Sequence, residues 1–375
     1  MTLLSYSPSI LLLAPQLQVP GGIQTYMRRL REIVSAYGQT RGHQTCCVSL
    51  LDRQDERSDP HTGSGEHGAF VGCRGNKMMF ALKAIGLAGK YLGSLMIVGH
   101  LGQSPVAWGL KRLGIIRSYV LVIYGIEAWK KVSWLDRQAA RDAECIVAIT
   151  DYTAVEFCKR NDLPYERPRI IPPTLAEEEI SAPLGNPEPL TELKVLTVGR
   201  LSAYDRLKGI DTLISAVHKA GQAGAKLRLR IVGDGDDKGS LENLVARLGL
   251  DGQVDFVGWV PEDKLHHFYQ ACDVFAMPSK KEGFGIVFLE AMRYGKPCIG
   301  GNYGGTPEVI THGVDGYLVD YGDVHQLARY LIEFLQRPEI RREMGLKGYE
   351  KVKARYLFSH MRDNWFALLD ELIGK

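Results

Sequence analysis

Short apolar runs alternate along this chain with longer segments whose apolar residues recur at every third or fourth position. The short runs predict buried β-strands, and the longer segments predict amphipathic α-helices. In the first half, strands are predicted at residues 10–14, 45–51, 95–98, 119–124, 145–149 and 169–171. In the second half, they are predicted at residues 194–198, 227–232, 254–256, 274–276, 297–300 and 317–319. Such alternation is typical of parallel sheets covered by helices on both faces.

A proline-rich stretch, residues 172–191, separates the two series and predicts neither a regular helix nor a central strand. We therefore expect two doubly wound, Rossmann-like α/β domains, at residues 1–175 and 190–356. Ligands of such sheets bind outside the carboxyl ends of the strands, so we expect the two domains to face a cleft. The polar, glycine-rich stretch 52–75 predicts a loop, and Asp151 is a candidate helix cap.

Composition narrows the class of protein. The 375 residues are 45% hydrophobic and 24% charged, as in soluble globular proteins, and the net charge of +3 does not indicate a nucleic-acid partner. Seven cysteines without a C-x-x-C pair favour buried thiols in a reducing cytoplasm. The apolar run at residues 10–14 follows no basic residue, so we interpret it as a strand rather than a signal peptide. No run reaches the roughly 18 apolar residues of a membrane span.

Two glutamates eight positions apart flank a glycine-bearing loop. A predicted strand ends at Pro278, so Glu282 lies in a strand-to-helix loop and Glu290 about one turn into the next helix. Free N–H groups at the helix start favour oxygen-rich ligands, and Gly283 and Gly285 let the backbone approach a ligand closely. A carboxylate accepts hydrogen bonds from sugar hydroxyls. The alternative is a helix start with two ordinary acidic residues.

Two cations lie in the loop after the first strand of the second series. Arg200 follows Gly199 at the end of that strand, and Lys208 precedes the next predicted helix. Fixed cations stabilise the negative charge that develops on a departing diphosphate. Arginine offers a planar fork of donors, and lysine a point charge. A solvated surface loop is the alternative.

The glutamate pair resembles the Glu-x7-Glu signature of retaining glycosyltransferases with the GT-B fold, in the large family that includes bacterial lipid-linked mannosyl- and glucosyltransferases. The Gly-Arg-Leu…Lys-Gly pattern around Arg200 and Lys208 is similar to that family's diphosphate site. The resemblance covers most of the chain and is strongest over residues 195–319. It implies that Glu282 contacts the transferred sugar and that Glu290 binds the ribose of the nucleotide.

The resemblance extends to loops of the first domain. The pair Gly21-Gly22 is similar to glycines that approach the diphosphate. His100 corresponds to a histidine near the sugar, although its Gly-His-Leu-Gly context departs from the usual pattern; a structural histidine is the alternative. Glu127 falls in a region similar to His-Gly-x-Glu, with Tyr124 where a histidine is common; a helix cap is its alternative role. The resemblance also implies that a C-terminal helix, within residues 357–375, packs back on the first domain.

The resemblance thus implies a complete candidate site. The catalytic residues would be Glu282, Arg200, Lys208 and His100. The donor-binding residues would be Gly21, Gly22, Arg200, Lys208, Gly233, Asp234, Glu282, Gly283, Phe284, Gly285, Ile286 and Glu290. His100 and Glu127 would lie on the acceptor side. The loop at residues 304–308 resembles a further phosphate- or ribose-binding loop of the family, and a simple turn is its alternative.

The implied reaction transfers a hexosyl group from a GDP- or UDP-linked sugar to a hydroxyl acceptor, such as a lipid-linked glycan or polysaccharide precursor, with retention and without a cofactor. The sequence Asp234-Gly235-Asp236-Asp237 looks like the D-x-D metal motif of another glycosyltransferase fold. The two cations already serve the phosphates, so we expect no metal.

Other functions remain open at this point. A nucleotide-sugar epimerase shares the fold, and a non-enzymatic nucleotide-sugar-binding protein is a further alternative. A nicotinamide-dependent dehydrogenase should show G-x-G-x-x-G after the first strand, which Pro20-Gly21-Gly22-Ile23 does not match.

Two segments of the first domain combine basic and apolar residues. They are residues 77–90, with three lysines, and residues 129–134, with two tryptophans and two lysines. Such surfaces suit an anionic membrane, where the protein would rest peripherally on the inner face. We favour the alternative that Met79, Phe80, Leu82 and Ile85 pack into the core.

Overall fold

The computed structural model describes residues 9–53, 69–166, 168–177 and 189–374, with the backbone alone at residues 204 and 205. The chain divides into two compact units. The N-terminal unit comprises Met1–Pro173 and Phe358–Lys375, and the C-terminal unit comprises Thr174–Leu357.

The N-terminal unit is built on a seven-stranded parallel sheet with the order β3-β2-β1-β4-β5-β6-β7. Its strands are β1 (Ser9–Ala14), β2 (Gln44–Ser49), β3 (Ala69–Gly72), β4 (Ser94–Val98), β5 (Ile116–Ile123), β6 (Cys145–Ala148) and β7 (Pro168–Ile170). Its helices include α1 (Gly22–Arg41), α2 (Lys77–Lys90), α3 (Ser104–Arg112), α4 (Trp134–Asp142) and α5 (Asp151–Asn161). The strand order reverses direction between β1 and β4, which creates a switch point at their carboxyl ends.

The C-terminal unit has a six-stranded parallel sheet with the order β10-β9-β8-β11-β12-β13. Its strands are β8 (Leu193–Val198), β9 (Leu227–Val232), β10 (Val254–Gly258), β11 (Val274–Met277), β12 (Cys298–Gly301) and β13 (Gly316–Val319). Its α-helices are α6 (Ile210–Gln222), α7 (Lys238–Leu248), α8 (Glu262–Ala271), α9 (Ile286–Met292), α10 (Thr306–Val309), α11 (Val324–Gln336) and α12 (Pro338–Arg355), and a 3-10 helix spans Ala203–Lys208. Here the order reverses between β8 and β11.

The central strands are apolar on both faces because helices cover both sides of each sheet. All six residues of β1 are buried, and β1 pairs in parallel with β2 on one side and β4 on the other. The doubly wound α/β class predicted from the alternating pattern is therefore confirmed in both units.

The last helix, α13 (Phe358–Ile373), belongs to the N-terminal unit. Trp365 is fully buried, and its Nε1 lies 3.3 Å from the hydroxyl oxygen of Tyr26 on α1. The Asp370 carboxylate accepts a hydrogen bond from Tyr37 at 2.8 Å and pairs with Arg41 at 2.8 Å. Helices α1 and α13 are thus joined by a buried aromatic contact and a polar one.

Two local predictions are wrong. Residues 69–72 were expected in a loop but form β3, a four-residue edge strand. Its strand conformation comes from pairing with β2, because four residues are too few to show a strand pattern in the sequence. Residues 54–68 of the expected loop lie outside the described part. The cap of α5 is Thr150, whose Oγ1 accepts a hydrogen bond from the Thr153 N–H, and Asp151 is the first residue of that helix.

Helix α2 also departs from the expected packing. Phe80 is buried and Met79 half-buried, but Leu82 and Ile85 are 61% and 44% exposed. The helix packs Phe80 and two alanines into the core, with Met79 and Leu87 partly buried beside them, whereas Met78, Leu82 and Ile85 are exposed.

All seven cysteines lie in the described part of the chain, where they are buried and form no disulfide. Among the helices of the described residues, none has both the length and the apolar character needed to cross a bilayer.

Candidate active site

The candidate residues for binding the sugar donor in the C-terminal unit lie in or next to loops at one edge of its sheet. These loops follow β8, β9, β11 and β12, and parallel strands place their carboxyl ends on the same side. Neighbouring strands β8 and β11 form the switch point of this sheet. The loop after β8 holds Arg200 and Lys208, and the loop after β11 holds Glu282, so the two loops that carry the predicted charges are adjacent in space.

Lys208 and Glu282 meet across the switch point. The Lys208 Nζ lies 3.8 Å from a carboxylate oxygen of Glu282, and each side chain is about one-fifth to one-quarter exposed. Two backbone features bring the loops together. The Lys280 N–H donates to the Leu207 carbonyl at 2.6 Å. Gly209 has φ of 73°, and a Cβ there would lie 2.4 Å from the carbonyl oxygen of Pro278.

The lysine is held by a glycine as well. A Cβ on Gly199 would lie 3.3 Å from Cδ of Lys208 and 3.5 Å from its Nζ, so the lysine stem runs across the backbone at the end of β8. Arg200, the next residue, is exposed. Of the two candidate cations in this loop, Lys208 is packed against the backbone and Arg200 is exposed to solvent.

The glutamate loop is tied to the next strand's loop. The Glu282 carbonyl accepts a hydrogen bond from the Gly305 N–H at 2.8 Å. Gly285 has φ of 88° and starts α9, with Ile286 as the first helical residue. Phe284, which precedes Gly285, is buried and makes an edge-on contact with Tyr356, with ring centroids 5.7 Å apart. The Phe284 side chain thus anchors the loop.

Glu290 is half-buried on α9 and is supported from α8. The Tyr269 hydroxyl donates to Oε2 of Glu290 at 2.6 Å. Burial, together with the nearby Glu290 charge, raises the pKa of Tyr269 well above its usual value. The hydroxyl consequently stays protonated and acts as the donor. Sequence reasoning missed this contact, because no local pattern marks a pair 21 residues apart.

The glycine loop after β9 packs tightly against the loop after β8. Gly233 has φ of 137°, and a Cβ there would lie 1.9 Å from the Gly199 carbonyl oxygen. Asp234 follows it, and its Oδ1 accepts the Gly235 N–H at 2.9 Å. The close backbone approach explains why glycine occupies these positions.

The acidic residues beyond Gly235 have protein partners. Oδ1 of Asp236 accepts the Ala203 N–H at 2.9 Å, and this hydrogen bond is the main reason that the pKa of Asp236 is lowered. Asp237 is buried and pairs with Arg206 at 2.7 Å. Within the described residues, no group of three or more histidine, cysteine or acidic side chains has an arrangement that could hold a metal ion.

The remaining predicted residues lie in the N-terminal unit, at the carboxyl ends of its strands. Gly21 and Gly22 follow β1 and begin α1, and His100 follows β4, so these residues flank that sheet's own switch point. His100 Nδ1 accepts the Gly102 N–H at 3.1 Å, which places its ring proton on Nε2. Glu127 Oε1 accepts the N–H groups of Tyr124 and Gly125, at 2.6 and 3.1 Å, and so stabilises its own turn.

Comparison with known proteins identifies the C-terminal part of the chain. Residues 179–351 match the family model described as Glycosyl transferases group 1. The chain carries a group 1 glycosyltransferase domain. The Arg200…Lys208 loop and the Glu282…Glu290 segment both fall inside this group 1 domain, and the resemblance drawn from them is confirmed at the level of the domain.

Characterised relatives align over the same region. The chain is 36% identical over 181 residues to N-acetyl-alpha-D-glucosaminyl L-malate synthase of Bacillus anthracis, an alignment that covers 47% of this chain and 46% of the relative. It is 37% identical over 167 residues to a GDP-mannose-dependent alpha-(1-6)-phosphatidylinositol monomannoside mannosyltransferase of Mycobacterium tuberculosis, covering 43% of each. The match to the group 1 domain thus spans less than half of either relative.

Solved structures match along nearly the whole chain. A sucrose-phosphate synthase from Thermosynechococcus elongatus superposes with a TM-score of 0.80 at 22% identity, covering 98% of this chain and 99% of that one. Anabaena HepE in complex with UDP and glucose superposes with a TM-score of 0.78 at 20% identity, covering 97% and 100%. The likeness is one of fold, and it confirms the GT-B fold predicted from the sequence.

Proposed function

We propose that this protein is a retaining glycosyltransferase that moves a hexosyl group from a nucleotide sugar to a hydroxyl acceptor. The observation that carries the proposal is the meeting of Lys208 and Glu282, 3.8 Å apart, at the switch point of the group 1 domain. It combines a cation for a diphosphate with a carboxylate for sugar hydroxyls. GDP- and UDP-linked hexoses are the proposed donors, since one relative is named as GDP-mannose-dependent and one structural neighbour holds UDP and glucose.

The chemistry proposed for the site is a front-face displacement. The bond between the anomeric carbon and the diphosphate oxygen breaks, and its electron pair stays on the departing oxygen. Lys208 and Arg200 stabilise that charge more in the transition state than in the bound donor. The acceptor oxygen attacks from the same face, and its proton passes to the departing phosphate oxygen. The anomeric configuration is retained.

A ligand screen tests the donor class. Binding to the folded state raises stability by RT ln(1 + [L]/Kd), about 2.7 kcal/mol at a hundredfold excess over Kd. We expect the unfolding temperature to rise with either GDP or UDP sugars, and not with ADP sugars. Product analysis by NMR should then show the donor's anomeric configuration. Absence of any shift, or an inverted product, would contradict the proposal.

We further propose that no metal takes part. The support is that Asp236 and Asp237 are each engaged by a protein group, the Ala203 N–H and Arg206. Turnover should persist after dialysis against excess EDTA. Lost turnover that Mg²⁺ or Mn²⁺ restores would contradict this and point back to the acidic cluster.

The acceptor is proposed to be lipid-linked, with the protein resting on an anionic membrane. Met78, Leu82 and Ile85 are 72%, 61% and 44% exposed and recur at i, i+4 and i+7, which places them on one face of α2. Exposed lysines at positions 77, 83 and 90 flank this face. An apolar stripe with basic flanks is the arrangement of helices that lie in a membrane interface.

The segment at residues 129–134 contributes one exposed tryptophan to the proposed membrane surface. Trp134 is 63% exposed at the start of α4. Trp129, in contrast, is half-buried, and its Nε1 donates to Thr153 at 3.1 Å. Of the two tryptophans, only Trp134 is available for a membrane contact.

Sedimentation with anionic vesicles tests the membrane proposal. Each basic residue near such a surface contributes about 1 kcal/mol, and salt screens the attraction. We expect binding at low salt that fades at high salt, and a loss of binding in Leu82→Glu. Leu346→Glu, at an exposed leucine of α12, is the matched control. Equal binding by both variants, or none by the wild type, would refute a role for α2.

An assay without acceptor gives a further test. Donor consumption in the absence of any acceptor, with release of an isomeric nucleotide sugar, would contradict the transferase proposal and favour an epimerase of the same fold.

A further inference from the structure

The hydroxyl of Tyr269 is directed at a carboxylate of the proposed donor site from the protein interior. Tyr269 lies on α8, is 1% exposed, and donates to Oε2 of Glu290 at 2.6 Å. Glu290 itself is half-buried on α9. One oxygen of this carboxylate is therefore engaged by a buried hydroxyl, on a residue that is itself only partly buried.

The direction and strength of this hydrogen bond are fixed by the surroundings. Burial first, and the charge of Glu290 second, raise the pKa of Tyr269. The phenol therefore stays protonated and is the donor in this hydrogen bond. Hydrogen bonds from a hydroxyl to a carboxylate are short and about twice as strong as neutral ones.

The tyrosine ring is held in a stack that reaches α9. Its centroid lies 5.7 Å from that of Phe275 on β11, and Phe275 meets Phe288 of α9 edge-on at 5.5 Å. The ring that orients the carboxylate thus packs through one phenylalanine against the helix that bears the carboxylate. A glutamate side chain with three rotatable bonds gains a fixed orientation from this arrangement.

We propose that Tyr269 is a positioning residue that holds the Glu290 carboxylate in the orientation in which it accepts hydrogen bonds from the two ribose hydroxyls of the donor nucleotide. This inference rests on the proposed function, in which Glu290 is the ribose-binding residue. Because the Glu290 carboxylate is already held in the binding orientation, less side-chain entropy is lost when the nucleotide binds.

The test compares ribonucleotides with analogues that lack both ribose hydroxyls. GDP, UDP and their 2′,3′-dideoxy forms are titrated by calorimetry into the full-length wild type and Tyr269→Phe. We expect the wild type to prefer its ribonucleotide by about a hundredfold, and Tyr269→Phe to reduce that preference by about tenfold, with dideoxy binding unchanged. Tyr317→Phe is the matched control, because Tyr317 is also buried and donates to a glutamate, Glu333, at 3.0 Å.

Each outcome separates the inference from the proposed function. A wild type that binds ribo and dideoxy forms equally would overturn the ribose role of Glu290. A wild type that discriminates, with Tyr269→Phe discriminating equally well, would overturn the inference and leave the Glu290 role intact. Equal weakening of both nucleotide forms in Tyr269→Phe would show a structural role only. In the double variant with Glu290→Gln, the tyrosine change should have no further effect on the preference.

Discussion

Replacing Lys208 by methionine removes the fixed ammonium and retains most of the side-chain stem. The stem is worth retaining, because it runs across Gly199, with Cδ 3.3 Å from the position of a Cβ there. The pair with Glu282 is partly exposed, and such pairs contribute about 1 kcal/mol or less to stability. The unfolding temperature of Lys208→Met should therefore stay close to that of the wild type, so that a kinetic effect can be assigned to chemistry.

The expected kinetic effect is large. Two unit charges about 4 Å apart near a protein surface attract by about 4 kcal/mol, and removal of one charge-stabilising group in an active site typically costs about 2–4 kcal/mol. This corresponds to a fall in kcat of about thirtyfold to a thousandfold. The loss includes a second contribution, because the Glu282 carboxylate would then face the diphosphate without its cation.

Steady-state kinetics with the donor identified by the ligand screen would measure this effect. Lys280→Met is the matched control, since Lys280 is exposed on the neighbouring loop after β11 and its Nζ lies over the Tyr321 ring at 5.6 Å. A raised KM with unchanged kcat in Lys208→Met would refute the reasoning, because it would show that the lysine binds donor and transition state equally.

Three further predictions concern other residues. Glu290→Ala should weaken binding of the free nucleoside diphosphate, whereas Glu282→Ala should leave it nearly intact and abolish transfer; calorimetry and activity assays separate the two. Gly233→Ala should lower the unfolding temperature by several degrees, because its φ of 137° and the 1.9 Å approach of a carbonyl oxygen leave no room for a Cβ. The pKa of Asp370 is lowered, mainly by the hydrogen bond from Arg41. The ionised Asp370 therefore stabilises the folded state above its unfolded pKa of about 3.9, and this contribution is lost as the pH falls through the lower folded pKa. Thermal melts between pH 6 and pH 2 should show this loss, and Asp370→Asn should flatten it.

Each of these has a contrary outcome. Reversed binding defects would mean that the two glutamates are assigned the wrong way round. An unchanged melting temperature in Gly233→Ala would mean that the backbone can relax there. A melt profile of Asp370→Asn identical to that of the wild type would place the acid sensitivity elsewhere.

The sequence predicted structure best where apolar residues recur at regular positions, or where glycines lie between charged residues in a loop. It predicted both sheets. It also predicted the loops that bear Arg200, Lys208 and Glu282, since ligands of this fold class bind at the carboxyl ends of the strands. It did not predict β3, because four residues are too few to show a period. Nor did it predict that Leu82 and Ile85 face outward, since apolar periodicity does not say which of two faces is buried.

Contacts between distant residues were also beyond reach. The pairing of Lys208 with Glu282 joins residues 74 positions apart, and that of Tyr269 with Glu290 joins two helices. Such contacts depend on how the loops pack, which in turn depends on steric detail such as the fit of Gly209 against the Pro278 carbonyl.

The placement of α13 in the N-terminal unit has a consequence for synthesis. Residues 174–357, which form the whole C-terminal unit, leave the ribosome before Trp365 does. At roughly 5–20 residues per second, that interval lasts on the order of ten to forty seconds. Throughout it, the surface around Tyr26 that Trp365 will cover stays exposed on the nascent chain. The C-terminal unit, in contrast, has its entire sequence as soon as residue 357 has been added. The unit made first is thus the unit completed last, because its core at Tyr26 stays open until α13 has been made.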